Sequence, residues 1–414
     1  MLPSRLPLRW ISRDGWRIIL ARGVGTVARS SIAVMLALYL DKLGFSLVQI
    51  GALLSVGVAG SACFAFTVSL IAEKVGRRRL LVTFTLMSAA SVLALALIDS
   101  FLPLMFVAFF GGITGGAAAG GAVQPLEQAS LADAAPPERR TDLFAIYRIL
   151  ALAGSALGAL AAGLPVVFQN TLGMSELGAY RVTFASLAGL FLVGALLYGL
   201  LSPAVEVART EQRWVNPLRL PSRRLIFTLT GLFSLDHFAG SLFLETLAAY
   251  WFYTRFGLEL ESLAAVFFLS RVLAAVSLWV AAKLANRIGL INTMVFTHIP
   301  ASLFLVAAAF APTAWLAIVF WQLRAFLSMM DVPTRDSYTM SVVQPSERVA
   351  MAGIHIVGRS VAGTVGPSVG TFLWQAISAS APLVANAALK ITYDLSLYFM
   401  FRNVKPAQEQ KEAR

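Results

Sequence analysis

The residues of this chain that can do chemistry are ionisable side chains set inside long apolar runs. Arg29 lies near the centre of the first run. Asp236 and His237 lie near the centre of the seventh, with Glu245 roughly two helical turns further on. Arg271 is central in the eighth run and Arg324 in the tenth. A charge in hydrocarbon is costly, so each of these groups is expected to face a cavity or a partner. The charge on a buried carboxyl group responds to desolvation and to neighbouring cations. Asp236 or Glu245 can therefore carry a proton, and Asp236 is expected within reach of Arg29 or Arg324. Arg29, Arg271 and Arg324 against Asp236 and Glu245 also suit an anionic small molecule. The competing reading of all six is a set of buried ion pairs that only hold helices together.

Other charged positions read as structural. Arg22, Arg148 and Arg359 sit nearer the ends of their runs, where long side chains reach the interface. Lys390 and Asp394 are four apart on one helical face and suit an internal ion pair. His298, beside Pro300, and His355 read as packed or capped. Three histidines, the single cysteine Cys63 and no His-Glu-x-x-His pattern argue against a metal site or a zinc hydrolase. There is no nucleophile elbow and no phosphate-binding Walker loop, so neither an enzyme nor direct ATP drive is expected. We expect no cofactor, and a proton gradient as the energy source.

These side chains must be carried by membrane-crossing helices. Of the 414 residues 58% are hydrophobic and only 13% charged, against roughly 25% charged in soluble domains. About twelve runs of 18–25 residues recur, each able to cross a bilayer as a helix. They fall at 17–40, 47–72, 80–98, 103–124, 143–165, 180–201, 225–250, 262–282, 290–311, 313–332, 350–373 and 382–402. The stretch 202–224 holds Pro203, Pro217 and Pro221 and interrupts the series. The expected organisation is a helical bundle over 1–201, a central loop over 202–224 and a second bundle over 225–414.

The formal net charge of +12 is distributed in alternate loops. One set holds Arg77, Arg78, Arg139, Arg213, Arg287 and Arg402, and the opposite set little beyond Lys42 and Arg255. The positive-inside rule places both termini and the central loop in the cytoplasm. The basic residues form no continuous face, so no nucleic-acid partner is expected.

The halves echo each other. Ala72–Arg79 reads AEKVGRRR and 285–292 reads ANRIGLIN, so that Gly76 matches Gly289 and Lys74 matches Arg287. The same shift pairs Gly44 with Gly257. Two parallel repeats are a transporter architecture.

The stretch from Ser69 through Glu73, Lys74, Gly76, Arg77 and Arg78 resembles the loop signature of the major facilitator superfamily, usually Gly-x-x-x-Asp-Arg-x-Gly-Arg-Arg. Ser69 replaces the first Gly and Glu73 the Asp. The stretch from Gln124 through Pro125 and Glu127 to Asp133 resembles the cytoplasmic end of the fourth span in that superfamily, with Asp331, Pro333, Arg335 and Asp336 as its counterpart in the second half. The resemblance implies an all-α membrane protein of twelve transmembrane helices in two six-helix bundles. It implies a conformational latch at Glu73, Lys74, Gly76, Arg77 and Arg78. Asp331 and Arg335 would form a cytoplasmic gate in the second half, and the first, fourth, seventh and tenth spans would line a central cavity. Gly154, Gly158, Gly363, Gly366 and Pro367 are expected to serve close helix packing or a rocking hinge.

The chain also looks like the efflux-type bacterial facilitators, which implies a multi-pass protein of the inner membrane. The expectation is a secondary transporter working by alternating access as a monomer, exporting a small organic molecule by proton exchange. Uptake or exchange of an organic anion is the alternative within transport. A non-transporting receptor or scaffold on the same fold is the alternative from another class.

Overall fold

The computed structural model describes residues 10–113, 123–133, 139–206, 221–343 and 347–402. These form α-helices and one short 3-10 turn, Pro203–Val205, with no strand among the described residues. In chain order the helices are α1 (Arg13–Lys42), α2 (Leu47–Val75), α3 (Arg77–Leu97), α4 (Phe101–Gly111), α5 (Val123–Asp133), α6 (Arg140–Ala161), α7 (Leu164–Leu172) and α8 (Glu176–Gly199). They continue with α9 (Arg223–Leu242), α10 (Glu245–Phe256), α11 (Leu260–Ile288), α12 (Leu290–Ala309), α13 (Ala314–Leu327), α14 (Asp331–Ser341), α15 (Arg348–Ala376) and α16 (Ala381–Phe401).

Each apolar run read from the sequence falls on one helix or on two consecutive ones, although part of the fourth lies outside the described residues. Eight helical segments among the described residues are long and apolar enough to cross a membrane, and α4 and α13 are shorter apolar helices. The seventh run is broken: Leu244 is extended, and Glu245 opens α10 in its first turn, where a carboxylate suits the positive end of a helix.

Packing divides the chain into two compact units. The first holds α1 as far as Ala33, α2 from Gly60, and α3 to α8. The second holds Val34–Ala59 together with α9 to α16. Within the first unit α3 lies against α8, around a core that includes Ile18, Leu81, Leu126 and Tyr198. Within the second, α9 packs on α15 and α12 on α16, around Phe233, Met294, Tyr338 and Leu397. The Val34–Ala59 hairpin is tied into the second unit by polar contacts. Ser55 and Ser368 share a hydrogen bond of 2.8 Å, and the Tyr250 hydroxyl donates to Asp41 at 2.8 Å.

Large apolar side chains also face outward, among them Leu97, Phe106 and Trp315. That is a surface solvated by lipid rather than water.

The repeat in the sequence has a backbone counterpart. Gly76 and Gly289 both take positive φ, +99° and +84°, as do the matched Gly44 and Gly257. A Cβ is strained in that region, which explains glycine at equivalent turns of both halves. Other glycines serve close approach. A Cβ on Gly154 would lie 2.5 Å from the Gly23 carbonyl oxygen, and one on Gly158 2.2 Å from that of Val27, so α6 rides on the backbone of α1. In α15, which contains Pro367, a Cβ on Gly363 would meet the His237 ring at 2.8 Å, and one on Gly366 the Ser241 hydroxyl at 1.8 Å.

Candidate functional site

Two clusters of buried charge stand out, one in each unit. In the first, Glu127 of α5 is fully buried. Its carboxylate accepts from the Tyr147 hydroxyl at 2.6 Å and from the Tyr198 hydroxyl, and pairs with the Arg22 guanidinium at 3.5 Å. Helices α1, α5, α6 and α8 each supply one side chain. Arg22 is therefore a buried ion-pair partner, not an interfacial residue as its position near a span end suggested. One turn further into α1 beyond Thr26, the Arg29 guanidinium lies over the Phe191 ring at 5.4 Å. Among the described residues no carboxylate pairs with it.

In the second unit Asp236 is a hub. Its carboxylate meets Lys390 Nζ at 2.6 Å and the Arg335 guanidinium at 3.1 Å. Arg335 also binds Asp331 at 3.1 Å, one helical turn back on α14. Lys390 Nζ is 3.4 Å from His298 Nε2, and His298 Nδ1 is 3.0 Å from the Asp394 carboxylate. The chain of contacts thus crosses α9, α14, α16 and α12. All of these side chains are buried except Lys390, which is partly so.

Several expectations change here. Asp236 takes Lys390 and Arg335 as partners, and Arg324 is not among them; the Arg324 guanidinium instead lies over the Trp321 ring at 4.7 Å. Lys390 pairs across the bundle with Asp236, and Asp394 with His298. His298 is part of the charge chain, not a packing residue. Asp331 and Arg335, expected at a cytoplasmic gate, are drawn into the same cluster. Glu245 pairs with Arg271 of α11, away from Asp236. His237 is half-buried against α15.

The geometry sets the proton positions at His298. An Nδ1–H donating to Asp394 leaves Nε2 to accept from the Lys390 ammonium; this assignment follows from the partners, since hydrogens are placed by the network. The cluster then presents three carboxylates, Asp236, Asp331 and Asp394, to two permanent cations, Arg335 and Lys390. A proton on His298 would add a third positive charge to it.

At the α2–α3 turn, the backbone N–H groups of Arg77 and Arg78 donate to the Glu206 carboxylate at 2.7 and 3.2 Å, and the Arg78 guanidinium donates to the Gly199 carbonyl at 2.5 Å. Glu206 thus sits at the N-terminus of α3, where a carboxylate meets unpaired N–H groups. A Cβ on Gly76 would approach it to 2.8 Å. Lys74 is exposed, and the side chain of Glu73 lies outside the described residues. Nothing in the sequence singled out Glu206, which falls in the proline-rich break, or Tyr147 and Tyr198, since a tyrosine in an apolar run carries no charge signal.

With this geometry in view, the family can be stated. The Major Facilitator Superfamily model matches residues 18–367, and the chain belongs to that superfamily. It is 24% identical over 408 residues to the uncharacterized membrane protein YJR124C of Saccharomyces cerevisiae, covering 89% of this chain and 90% of the yeast protein. Its fold is similar to that of a point mutant of the nucleoside transporter NupG, with a TM-score of 0.75 at 14% identity over 94% of this chain and 100% of the other. A bacterial homologue of the human lysosomal transporter Spinster, inward-facing and unoccupied, gives 0.75 at 16% identity, over 96% and 97%. The protein is a multi-pass integral membrane protein with the fold of membrane transporters.

Proposed function

We propose that the chain is a proton-coupled secondary transporter that exports a small organic molecule by alternating access. In this reading it crosses the membrane about twelve times, works as a monomer and needs no cofactor. Its two halves, 1–201 and 225–414, joined by 202–224, exchange access to the two faces. The observation that supports proton coupling is the charge count around Asp236: three carboxylates against two permanent cations, with a histidine in the chain. A group whose charge changes with its neighbours can couple a proton to the occupant of the transport path. Export rests on the resemblance to efflux-type facilitators, as does an inner-membrane location.

Arg29 and Arg324, each lying over an aromatic ring with no carboxylate partner among the described residues, favour a second reading: an organic anion, taken up or exchanged. A cation in a membrane interior is costly unless something pairs with it.

The test begins with a metabolite and drug panel screened by thermal shift on purified protein, because a ligand of the folded state raises the apparent melting point. Flux of the hit is then measured in proteoliposomes under an imposed pH gradient. Gradient-driven movement supports the proposal. Binding with no flux under any gradient identifies a receptor or scaffold. For orientation, Cys63 is first replaced by serine, since it is exposed. Asp99→Cys should then label from outside and Lys74→Cys only from the cytoplasm; the reverse pattern would invert the topology.

A further inference from the structure

Helices α12 and α16 run antiparallel, and two contacts fix their register. His298 meets Asp394 at 3.0 Å, and the Ser380 hydroxyl donates to the Ala309 carbonyl at 2.8 Å. As α12 advances from His298 to Ala309, α16 therefore returns from Asp394 towards Ser380. Ser302 lies one turn beyond His298 and Lys390 one turn from Asp394, on the faces that carry the contact, and Asn386 lies a further turn along α16, between the two contacts in sequence.

Between the two contacts the seam holds polar groups that the protein does not satisfy. Asn386 is fully buried, yet neither its Oδ1 nor its Nδ2 has a hydrogen-bond partner. The buried Ser302 hydroxyl is equally unpaired. Pro300 lies inside α12 and removes the N–H that would otherwise close on the Phe296 carbonyl. Buried polar groups without partners are rare and expensive, and ordered water is their usual remedy. Two such residues on helices in contact, a few turns from a histidine–carboxylate pair, are groups that ordered water would satisfy.

We propose that the α12–α16 seam is a hydrated proton path. It leads from the end of these helices near Ala309 and Ser380 to His298, and His298 is where the coupling proton enters the cluster. The inference rests on the proton-coupled reading above and names its uptake site. A hydronium in the seam gives its proton to His298 Nε2: one O–H bond breaks, one N–H bond forms and water is left behind, the Lys390 N–H that donated to Nε2 lets go, and Nδ1–H keeps its bond to Asp394. The imidazolium then faces Lys390 across 3.4 Å, and repulsion presses that ammonium towards Asp236.

The groups around His298 fit this role. From α16 it meets Asp394 and Lys390, and from α9 Asp236 at 4.0 Å. On α14, Asp331 and Arg335 stand one ion pair further on. On α13, Arg324 is turned over Trp321. On α11, Arg271 is held by Glu245 and Lys283 lies over Trp279, leaving Arg287 near the helix end.

The experiment follows proton exchange at His298 Nε2, as the pH-dependent broadening of its 15N resonance, by NMR of the full chain carrying ring-labelled histidine in lipid nanodiscs. His298→Asn identifies the signal. Asn386→Leu fills the seam with an apolar side chain of similar size, and Ser302→Val does so one turn from His298. Each should slow exchange by about tenfold or more, equivalent to about 1.4 kcal/mol in barrier. Unchanged exchange in a folded variant overturns the path, and Ser302→Val provides the reading if Asn386→Leu does not fold. The readout needs neither substrate nor gradient. Failure of the path therefore leaves proton-coupled transport standing, and absence of coupled transport leaves the exchange result intact.

Discussion

The two buried clusters are built from similar side chains and are connected differently. Around Glu127, one carboxylate meets one arginine and two tyrosine hydroxyls, and both its oxygens are engaged. Around Asp236, three carboxylates share two permanent cations and a histidine. The first engages both oxygens of its carboxylate, and adding a proton there would break a contact. The second contains a histidine whose charge can change, and the same two helices, α12 and α16, carry buried polar atoms without partners. A buried ion pair by itself is weak evidence of function. On the proposed function, the difference in partners distinguishes a structural cluster around Glu127 from a proton-exchanging one around Asp236.

The sharpest way to break this comparison is at its hubs. Asp236→Asn is expected to abolish gradient-driven transport in proteoliposomes. It should also destabilise the fold by about 3–5 kcal/mol, because Lys390 and Arg335 lose their shared carboxylate. Adding Lys390→Met should recover thermal stability without recovering transport. A double variant that transports normally would remove Asp236 from the coupling path.

Glu127→Gln should cost about 3 kcal/mol by leaving Arg22 buried and unpaired. Gln still accepts from one tyrosine, and protein that folds should transport with unchanged gradient dependence. Measuring the melting point and the flux of the same preparation checks both halves of that statement. Loss of coupling in well-folded Glu127→Gln protein would make the clusters alike.

A smaller effect is expected where Glu206 meets α3. Glu206→Gln keeps an acceptor for the Arg77 and Arg78 amides but removes the charge at the helix N-terminus. The loss should be about 1 kcal/mol, read as a lower melting point that high salt partly erases.

The smallest effect on stability is expected at Arg29. With no carboxylate to orphan, Arg29→Gln should stay within about 0.5 kcal/mol of the parent. If the transported molecule is an anion, its affinity should fall clearly in the same variant, and a neutral ligand should bind as before. Arg324→Gln repeats the comparison in the other unit.

The sequence by itself determined the class of protein. Apolar runs of span length, a loop signature and glycines at matched turns are local properties, written in consecutive residues, and local geometry obeys them wherever the chain goes. Gly76 and Gly289 show this: their positive φ is required by the turn itself. Ionisable residues in apolar runs were legible for the same reason, since Asp236 and Arg29 are costly in lipid whatever their neighbours. What only the tertiary structure decided was pairing. Lys390, 154 positions from Asp236, holds it at 2.6 Å, and His298 reaches Asp394 across 96 positions. Asp331 and Arg335 were legible as charged residues near a span end, but α14 turns them into the cluster. Charge–charge contact depends on which helices pack together and in what register, and that information is spread over the whole chain. The seam at Asn386 is a plainer case still: one amide in an apolar helix carries no pattern, and only the packing of α16 on α12 shows that both its polar atoms are buried without a partner.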